Sequence, residues 1–341
     1  MRIGFLLPAN FAVGSPANGV LAQARFQAAA LQRAGHEVEF MNPWHPSDLR
    51  KLDVVQFFMG GYSMFRIEEI SRGLQKMRVW APTIDTNEPN WRYRLAARIG
   101  SVIPKIHTIP AAYRAQGLGC DLVVVRSEHE RDRIVAGLGI DRAKVELVLN
   151  GVEPPPAADP ALARRELGVP EQYALHVSIY NESRKNVANL IRAVGPTSRP
   201  LIIAGAAEPG PGLDEVKALA AQYPSVRLLG FLPRETLNSL YAGATVFCLP
   251  STHEGTGLVA LEAATYGAKV VITRHGGPPD YFRDMAEYID PGSVEGIRAA
   301  FLRAWVAPAN NLREHVVKNL TWDQSASSLV AAYLKHGVRR G

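Results

Sequence analysis

The sequence predicts an α/β protein made of two doubly wound domains, and three observations predict this fold class. Short apolar runs alternate with helical patterns twice along the chain, as expected for parallel sheets wrapped by helices. A proline-rich segment, Pro154-Pro155-Pro156 with Pro160, separates the two series. The length of 341 residues suits two cores of ordinary size.

The first series predicts six strands and two helices. Each strand is a short run rich in apolar and β-branched residues, and each helix has apolar residues at a spacing of three to four. The predicted strands are Arg2–Leu7, Glu37–Met41, Val54–Phe58, Arg78–Ile84, Leu122–Val125 and Glu146–Leu149. The predicted helices are Leu21–Arg33 and Ile67–Lys76.

The second series begins after the proline-rich segment and predicts a second sheet. Its strands are predicted at Tyr173–Ile179, Leu201–Ala204, Val226–Leu229, Thr245–Leu249 and Lys269–Ile272. We therefore expect an N-terminal domain over residues 1–152 and a C-terminal domain over residues 153–320. Two such domains on one linker would leave a cleft between them, a favoured place for a ligand.

Composition is typical of a cytoplasmic globular protein. Apolar residues make up 47% of the chain and charged residues 21%, and no run approaches the roughly 20 apolar residues of a membrane span. The segment Met1–Pro8 is too short for a signal peptide and predicts a first strand. Cys120 and Cys248 lie in apolar runs and are interpreted as core residues.

The net charge of +6 is concentrated in the N-terminal half. Between Glu88 and Asp121 there is no acidic residue. The basic residues Arg92, Arg94, Arg98, Lys105 and Arg114 interleave there with Trp91 and Tyr93. This stretch predicts peripheral contact with an anionic membrane or an acidic acceptor, and the alternative is a solvated helix face. No nucleic-acid-binding motif accompanies the charge, so nucleic acid is not an expected partner.

The most informative motif runs from Glu254 to Glu262 and lies between two predicted strands. Strand, glycine loop, helix and strand form a βαβ unit whose loop lies where open α/β sheets bind ligands. The amides of Gly257, Leu258 and Val259 would open the helix and form an anion site. Glu262 follows about one turn later, where its carboxylate can accept bonds from sugar hydroxyls. A phosphate beside a hydroxyl-binding carboxylate indicates a nucleotide sugar.

Arg184 and Lys185 follow the predicted strand that ends near Ile179. Breaking a sugar–phosphate bond leaves negative charge on the diphosphate, which fixed cations or a metal must stabilise. The sequence contains no Asp-x-Asp and no His/Cys cluster with metal-ligand spacing. We therefore expect Arg184 and Lys185 to stabilise the leaving group, with no metal and no cofactor beyond the nucleotide-sugar donor.

Two further glycine sites are candidates for close backbone approach. Gly19 lies in a loop after the first predicted strand, where an amide can face a phosphate. Gly276 and Gly277 precede a predicted helix that begins near Pro279. The first loop is too long for a G-x-G-x-x-G fingerprint, which argues against nicotinamide binding.

An ordered set of motifs resembles the retaining family 4 glycosyltransferases of GT-B fold. Two glutamates separated by seven residues and followed by a Gly-Gly-Pro turn are similar to that family's signature. The other matching segments are Asn18-Gly19-Val20, Ala34–Val38, Asn150-Gly151-Val152, Arg184-Lys185-Asn186 and the tail Trp322–Leu334. The resemblance spans nearly the whole chain.

The resemblance implies two Rossmann-like domains and a closing segment, residues 321–341, that packs back on the N-terminal domain. It implies a hexosyltransferase that moves a sugar from a GDP- or UDP-sugar to a glycan or lipid-linked acceptor in cell-surface polysaccharide synthesis, at the inner face of the membrane. Glu254 is assigned to the catalytic site with Arg184 and Lys185. Asp85 and His253, with the Gly276-Gly277 pair, are the acceptor-side candidates.

Three points depart from the family pattern or leave alternatives open. Tyr180 stands where an arginine is usual, so Arg184 is expected to take its role, and Asp280 replaces a usual glutamate. Relatives often carry a histidine near Asp85, and none stands there. The alternatives are a nucleotide-sugar epimerase of the same fold and a non-catalytic sugar-nucleotide-binding subunit.

Overall fold

The computed structural model describes residues 1–8, 19–41, 47–61, 64–102 and 108–338. Internal contacts divide the chain into two compact units. Unit 1 comprises Met1–Gly151 and Trp322–Gly341, and unit 2 comprises Val152–Thr321. These boundaries differ by one residue from those expected. Asn18 and Lys105 lie outside the described residues.

Each unit is built on a six-stranded sheet in which all pairs are parallel. The strands of unit 1 are β1 Arg2–Leu6, β2 Glu37–Phe40, β3 Val54–Phe58, β4 Met77–Ala81, β5 Leu122–Val125 and β6 Val145–Leu147, in the order β2-β1-β3-β4-β5-β6. Those of unit 2 are β7 Ala174–Val177, β8 Leu201–Ala204, β9 Val226–Gly230, β10 Val246–Leu249, β11 Lys269–Thr273 and β12 Glu287–Ile289, in the order β12-β11-β10-β7-β8-β9. The predicted fold class is confirmed.

Helices connect the strands and cover the sheets. They are α1 Gly19–Arg33, α2 Phe65–Gly73, α3 Asn90–Val102, α4 Ile109–Gly119, α5 Glu128–Asp132, α6 Pro160–Leu167, α7 Val187–Val194, α8 Pro211–Ala220, α9 Arg234–Gly243, α10 Leu258–Thr265, α11 Pro278–Phe282, α12 Val294–Val306, α13 Leu312–Asn319 and α14 Trp322–Lys335. Every residue of β3, β5, β7, β8 and β10 is buried, because parallel sheets are covered on both faces. Among the described residues no helix is long and apolar enough to cross a bilayer.

Two predicted segments differ from the structure for local reasons. The strand expected over Arg78–Ile84 ends at Ala81, since Pro82 has no amide to donate and Thr83 has a φ of 51°. Gly19 was expected in a loop, but it is the first residue of α1.

The C-terminal helix α14 belongs to unit 1 and packs against α1. The Trp322 ring stacks on Phe26 with centroids 5.6 Å apart, and Arg33 forms an ion pair with Asp323 at 2.7 Å. The Tyr333 hydroxyl donates to the buried Gln56 side chain in β3. The helix therefore completes the core of unit 1.

Candidate active site

The loops that carry most of the predicted site residues leave three neighbouring strands of unit 2. The chain passes from β7 to β8 and β9, then returns to the other side of β7 as β10 and continues to β11. The order of the sheet therefore reverses between β7 and β10. Loops that leave the carboxyl ends of two such strands run in opposite directions and open a crevice, which is where open α/β sheets bind ligands.

The loop after β7 brings Arg184 and Lys185 to this crevice. Both lie in a single 3₁₀ turn, Ser183–Lys185, and Asn186 follows with a left-handed φ of 58°. Asparagine tolerates this conformation better than most residues. Its side-chain amide also donates to the carbonyls of Pro250, at 3.0 Å, and Pro291, at 2.8 Å. We call Ser183–Lys185 the basic turn. Asn186 thus connects the basic turn to the loops that follow β10 and β12.

The loop after β10 places the carboxylate of Glu254 against the basic turn. Its Oε1 accepts from Lys185 Nζ at 2.7 Å, from Ser251 Oγ at 2.6 Å and from Arg184 Nη1 at 3.3 Å. Arg184 also donates to the His253 carbonyl at 3.1 Å. The Lys185 and Glu254 side chains are only 13% and 9% exposed. The structure therefore brings together the three residues predicted to be catalytic.

These contacts fix the charge of Glu254. Burial raises the pKa of its carboxyl, but the charges of Lys185 and Arg184 and the hydrogen bonds from Lys185 and Ser251 outweigh burial. The net pKa lies below its ordinary value, so the group is ionised at neutral pH. An ionised carboxylate cannot donate a proton, and one with a lowered pKa is a weak base. Its chemistry here is that of a fixed negative charge and hydrogen-bond acceptor.

Gly276 and Gly277 hold the backbone of Glu254. The backbone amide of Glu254 donates to the His275 carbonyl at 3.1 Å, and the Gly277 amide donates to the Glu254 carbonyl at 2.9 Å. A Cβ on Gly276 would lie 2.0 Å from that carbonyl oxygen, and its φ is 102°. Only glycine fits there. Because the Gly277 amide is bound to Glu254, this pair supports the loop of the buried His253 and Glu254.

The start of α10 has the form of the predicted anion site. Gly257 is left-handed, with a φ of 80°, and α10 begins at Leu258. The carbonyl of Gly257 accepts the amides of Ala260, at 2.8 Å, and Leu261, at 3.1 Å. The amides of Leu258 and Val259 precede these and point out of the helix end, as the first amides of any helix do.

Glu262 lies one turn into α10 and is held by a residue that the sequence did not predict. Arg234, at the start of α9, donates from Nη2 to Glu262 Oε1 at 3.1 Å and from Nη1 to Oε2 at 3.3 Å. This two-point contact fixes the plane of the carboxylate. The Tyr241 hydroxyl is buried beside the pair, and the nearby carboxylate of Glu262 adds to burial in raising the pKa of Tyr241.

His176 in β7 is a second residue that sequence reasoning missed. Its ring is fully buried below the crevice, with Nδ1 2.7 Å from the Cys248 carbonyl and Nε2 2.7 Å from Ser178 Oγ. Burial lowers its pKa to about 4, aided by the charge of Lys185, while the Cys248 bond and Glu254 oppose the shift. The neutral ring donates from Nδ1 to the carbonyl and accepts at Nε2 a hydrogen bond from the Ser178 hydroxyl. These two bonds connect β7, β10 and the loop after β7.

Two of the predicted site residues, Gly19 and Asp85, belong to unit 1. Gly19 is exposed at the start of α1. Asp85, beyond β4, forms an ion pair with Arg126, which follows the neighbouring strand β5. The buried Glu130 accepts from the amides of Ile84, at 2.7 Å, and Arg126, at 2.9 Å, and burial raises its pKa despite the Arg126 charge.

The missed residues left different signals in the sequence. Ser251 stands three residues before Glu254, just after the predicted strand that ends at Leu249. Its position after an apolar run did not indicate a contact with Glu254. Arg234 lies 28 residues from Glu262, and only the packing of α9 beside α10 makes them neighbours. Among the residues described, no group of three His, Cys, Asp or Glu side chains is placed to hold a metal ion.

Comparison with known proteins shows which sequences and folds this chain resembles. Residues 163–320 match the family Glycosyl transferases group 1. The chain is 31% identical over 175 residues to the O-antigen chain mannosyltransferase B of Escherichia coli, covering 47% of this chain and 45% of that protein. It is 33% identical over 247 residues to the D-inositol 3-phosphate glycosyltransferase of Corynebacterium kroppenstedtii, covering 65% of this chain and 54% of that protein. The chain thus spans about half the length of these curated relatives.

The fold comparison covers both units. HepE of Anabaena, solved in complex with UDP, superposes with a TM-score of 0.72 and 16% identity, covering 98% of this chain and all of that one (100%). At that identity the likeness shows the fold alone. Residues 163–320 are therefore similar to the glycosyl transferases group 1 family, and the chain that carries them has the GT-B fold of two Rossmann-like halves.

Proposed function

We propose that this chain is a glycosyltransferase that moves a sugar from a GDP- or UDP-sugar to a hydroxyl of a glycan or lipid-linked acceptor, with retained anomeric configuration and without a metal ion. The observation that carries the proposal is the cluster of Arg184, Lys185 and ionised Glu254 at the switch point of the unit 2 sheet. The names of relatives that build O-antigen chains or bind UDP support the donor class and the setting in polysaccharide synthesis.

In this proposal the basic turn stabilises the leaving diphosphate. The bond between the anomeric carbon and the diphosphate oxygen breaks, the acceptor oxygen bonds to that carbon, and the proton of the acceptor hydroxyl passes to the departing diphosphate. A lysine ammonium has three hydrogens, and among the described residues that of Lys185 contacts only Glu254. Two of its hydrogens therefore remain for the oxygens of a diphosphate. The Lys185 side chain is only 13% exposed, and a cation with little water around it stabilises new negative charge strongly.

Glu254 and Glu262 would contact hydroxyls of the donor. The bonds to Glu254 from described residues all reach Oε1, so Oε2 remains as an acceptor for a sugar hydroxyl. Glu262 is oriented by Arg234 beside the Leu258 and Val259 amides. Phosphate on those amides and ribose on Glu262 fit one nucleotide diphosphate. The Glu254–Glu262 spacing also supports retention, through its resemblance to the retaining family.

The acceptor side rests on unit 1, where Asp85 is the candidate. Its carboxylate pairs with Arg126 yet remains 32% exposed, so it can still accept a hydrogen bond from a hydroxyl group of the acceptor. This assignment is independent of the donor site.

Two measurements test the proposal. A thermal-shift panel of UDP-, GDP-, ADP- and dTDP-sugars is expected to raise the melting temperature with one or two of them. Release of the free nucleotide is then expected to increase when a glycan or lipid-linked acceptor is added. A chain that no nucleotide sugar stabilises would contradict the donor assignment. Donor binding without nucleotide release in any acceptor mixture would favour the non-catalytic alternative.

A further inference from the structure

One side of helix α3 packs against the rest of unit 1, and the opposite side is its outer face. Gly100 packs so closely that a Cβ there would lie 2.6 Å from Thr108 Oγ1 and 2.7 Å from the Ala111 side chain. Ala97 is buried, and the Tyr93 ring lies under the Arg133 guanidinium, 4.5 Å from its centroid. These three α3 residues, Tyr93, Ala97 and Gly100, therefore face the protein.

The outer face of α3 is apolar as well. Trp91, Leu95 and Ile99 are 62%, 51% and 36% exposed. Residues spaced by four share one side of a helix, since the turn is about 100° per residue. A helix on the surface of a globular protein normally carries polar residues on this side. We call Trp91, Leu95 and Ile99 the apolar stripe.

Basic side chains flank the apolar stripe. Arg98 is exposed and makes no ion pair or hydrogen bond with the part of the chain that the structure describes. Arg92 on the other flank lies 5.5 Å from the Trp91 ring and pairs with Glu88 at 2.8 Å. Arg94 instead donates to the Ala136 carbonyl, with its Nε at 3.0 Å, so it holds α3 to its neighbours. No acidic residue follows Glu88 until Asp121.

We propose that the outer face of α3 binds the surface of an anionic membrane. A stripe of tryptophan, leucine and isoleucine can enter the boundary between headgroups and acyl chains, and tryptophan prefers that boundary. Arginines at its edges reach lipid phosphates while their stems stay on the apolar side. Charge favours a lipid surface over a second copy of the chain, because two such faces in contact would bring arginines together.

This inference extends the proposed function without depending on it. If the acceptor is lipid-linked, the face would hold the enzyme at the surface that contains its acceptor. Membrane binding is measured without any sugar donor, so a failure of the donor assignment and a failure of this proposal are distinguishable.

Flotation of the full chain with vesicles tests the proposal. The chain is expected to float with phosphatidylglycerol vesicles at low salt, to bind pure phosphatidylcholine more weakly, and to lose binding in about 1 M salt, where the Debye length is about 3 Å. Failure to bind phosphatidylglycerol vesicles at low salt would overturn the proposal.

Four variants locate the binding face. Arg98→Gln is expected to weaken binding about fivefold, which corresponds to about 1 kcal/mol per basic side chain near an anionic surface. Leu95→Gln should weaken it at least as much, and both residues are exposed, so the melting temperature should not change. Val306→Gln and Lys217→Gln replace an exposed apolar and an exposed basic residue of unit 2, and both should bind like the wild type.

Equal binding by all four variants would place the contact elsewhere. Self-association without vesicles that Leu95→Gln abolishes would show an interface between copies instead.

Discussion

The ammonium of Lys185 is the charge closest to Glu254 and the one we expect turnover to need most. Lys185→Ala should lower kcat by about 10²–10³, the usual effect of removing one group that stabilises developing charge. The pKa of Glu254 should rise in this variant, because Lys185 is the first of the two charges that lower it. Turnover of the purified variant is measured beside that of Lys217→Ala, an exposed lysine of the same unit. Near-normal turnover with a cooperative melt would remove Lys185 from the leaving-group site.

Glu262 supports a prediction about donor affinity. Glu262→Gln keeps the shape but loses charge-assisted bonds to ribose, each worth roughly 1.5–3 kcal/mol, so the Kd of the nucleotide sugar should rise at least about tenfold. The melting temperature without ligand should change little, since the partner Arg234 is 59% exposed and ion pairs open to solvent contribute about 0–1 kcal/mol. Calorimetric titration measures the Kd, and Glu215→Gln, in a more exposed pair with Arg192, is the control. An unchanged Kd would put the ribose elsewhere.

Because the basic turn supplies two cations, we predict that activity survives chelation of divalent metal ions. If Arg184 and Lys185 stabilise the diphosphate, a divalent ion is not required for bond cleavage. Nucleotide release should keep its rate after treatment with EDTA and gel filtration. Loss of activity that Mg²⁺ or Mn²⁺ restores would show that a metal performs this role.

At the level of residues, local spacing predicted some parts of the site better than others. The loops after β7 and β10 were identified as ligand-binding loops because glycine and charge follow apolar runs directly. The contact between Glu254 and Lys185 joins residues 69 positions apart and could be expected only through the resemblance. The pairing of Glu262 with Arg234 and the buried ring of His176 left no local signal, because both depend on which elements become neighbours.

At the level of elements, the pairing of β7 with β10 makes stability depend on pH through His176. Its pKa is 6.5 when unperturbed and about 4 in the fold. Below pH 6.5 the unfolded chain binds a proton that the folded chain excludes, so stability falls as the pH drops towards 4, by roughly 3 kcal/mol in all. Urea unfolding between pH 7 and 4 measures this loss. His176→Gln should flatten the curve in this range, and an NMR titration that gives His176 an ordinary pKa would contradict the assignment.

Most strands could be predicted because both faces of a parallel sheet are buried, which leaves continuous apolar runs. Val54–Phe58, Leu122–Val125 and Leu201–Ala204 have the predicted bounds. The edge strand β12, Glu287–Ile289, has only three residues and was not predicted. Strand ends were less certain, since they depend on backbone details such as the left-handed Thr83.

At the level of the whole molecule, unit 1 is discontinuous in sequence and depends on α14. Trp322 is 2% exposed and stacks on Phe26, so Trp322→Ala should destabilise unit 1 by about 3–5 kcal/mol. Hydrogen exchange should then quicken in β1 and β3 and stay unchanged in β7 and β10. Phe231→Ala, which truncates an exposed aromatic residue of unit 2, is the control. Equal acceleration in both sheets would show that the units unfold together.

The chain leaves unit 1 at Gly151 and re-enters it at Trp322, with the amide of Val152 bonded to the Leu320 carbonyl at 2.8 Å. During translation, every residue of unit 2 therefore leaves the ribosome before α14 does. Domains generally fold as units as they emerge, so unit 2 can complete its sheet while the face of α1 that will receive Trp322 is still bare. The first part of unit 1, Met1–Gly151, therefore cannot complete its core until α14 has been synthesised. We expect this part of the nascent chain to be the one that a chaperone binds.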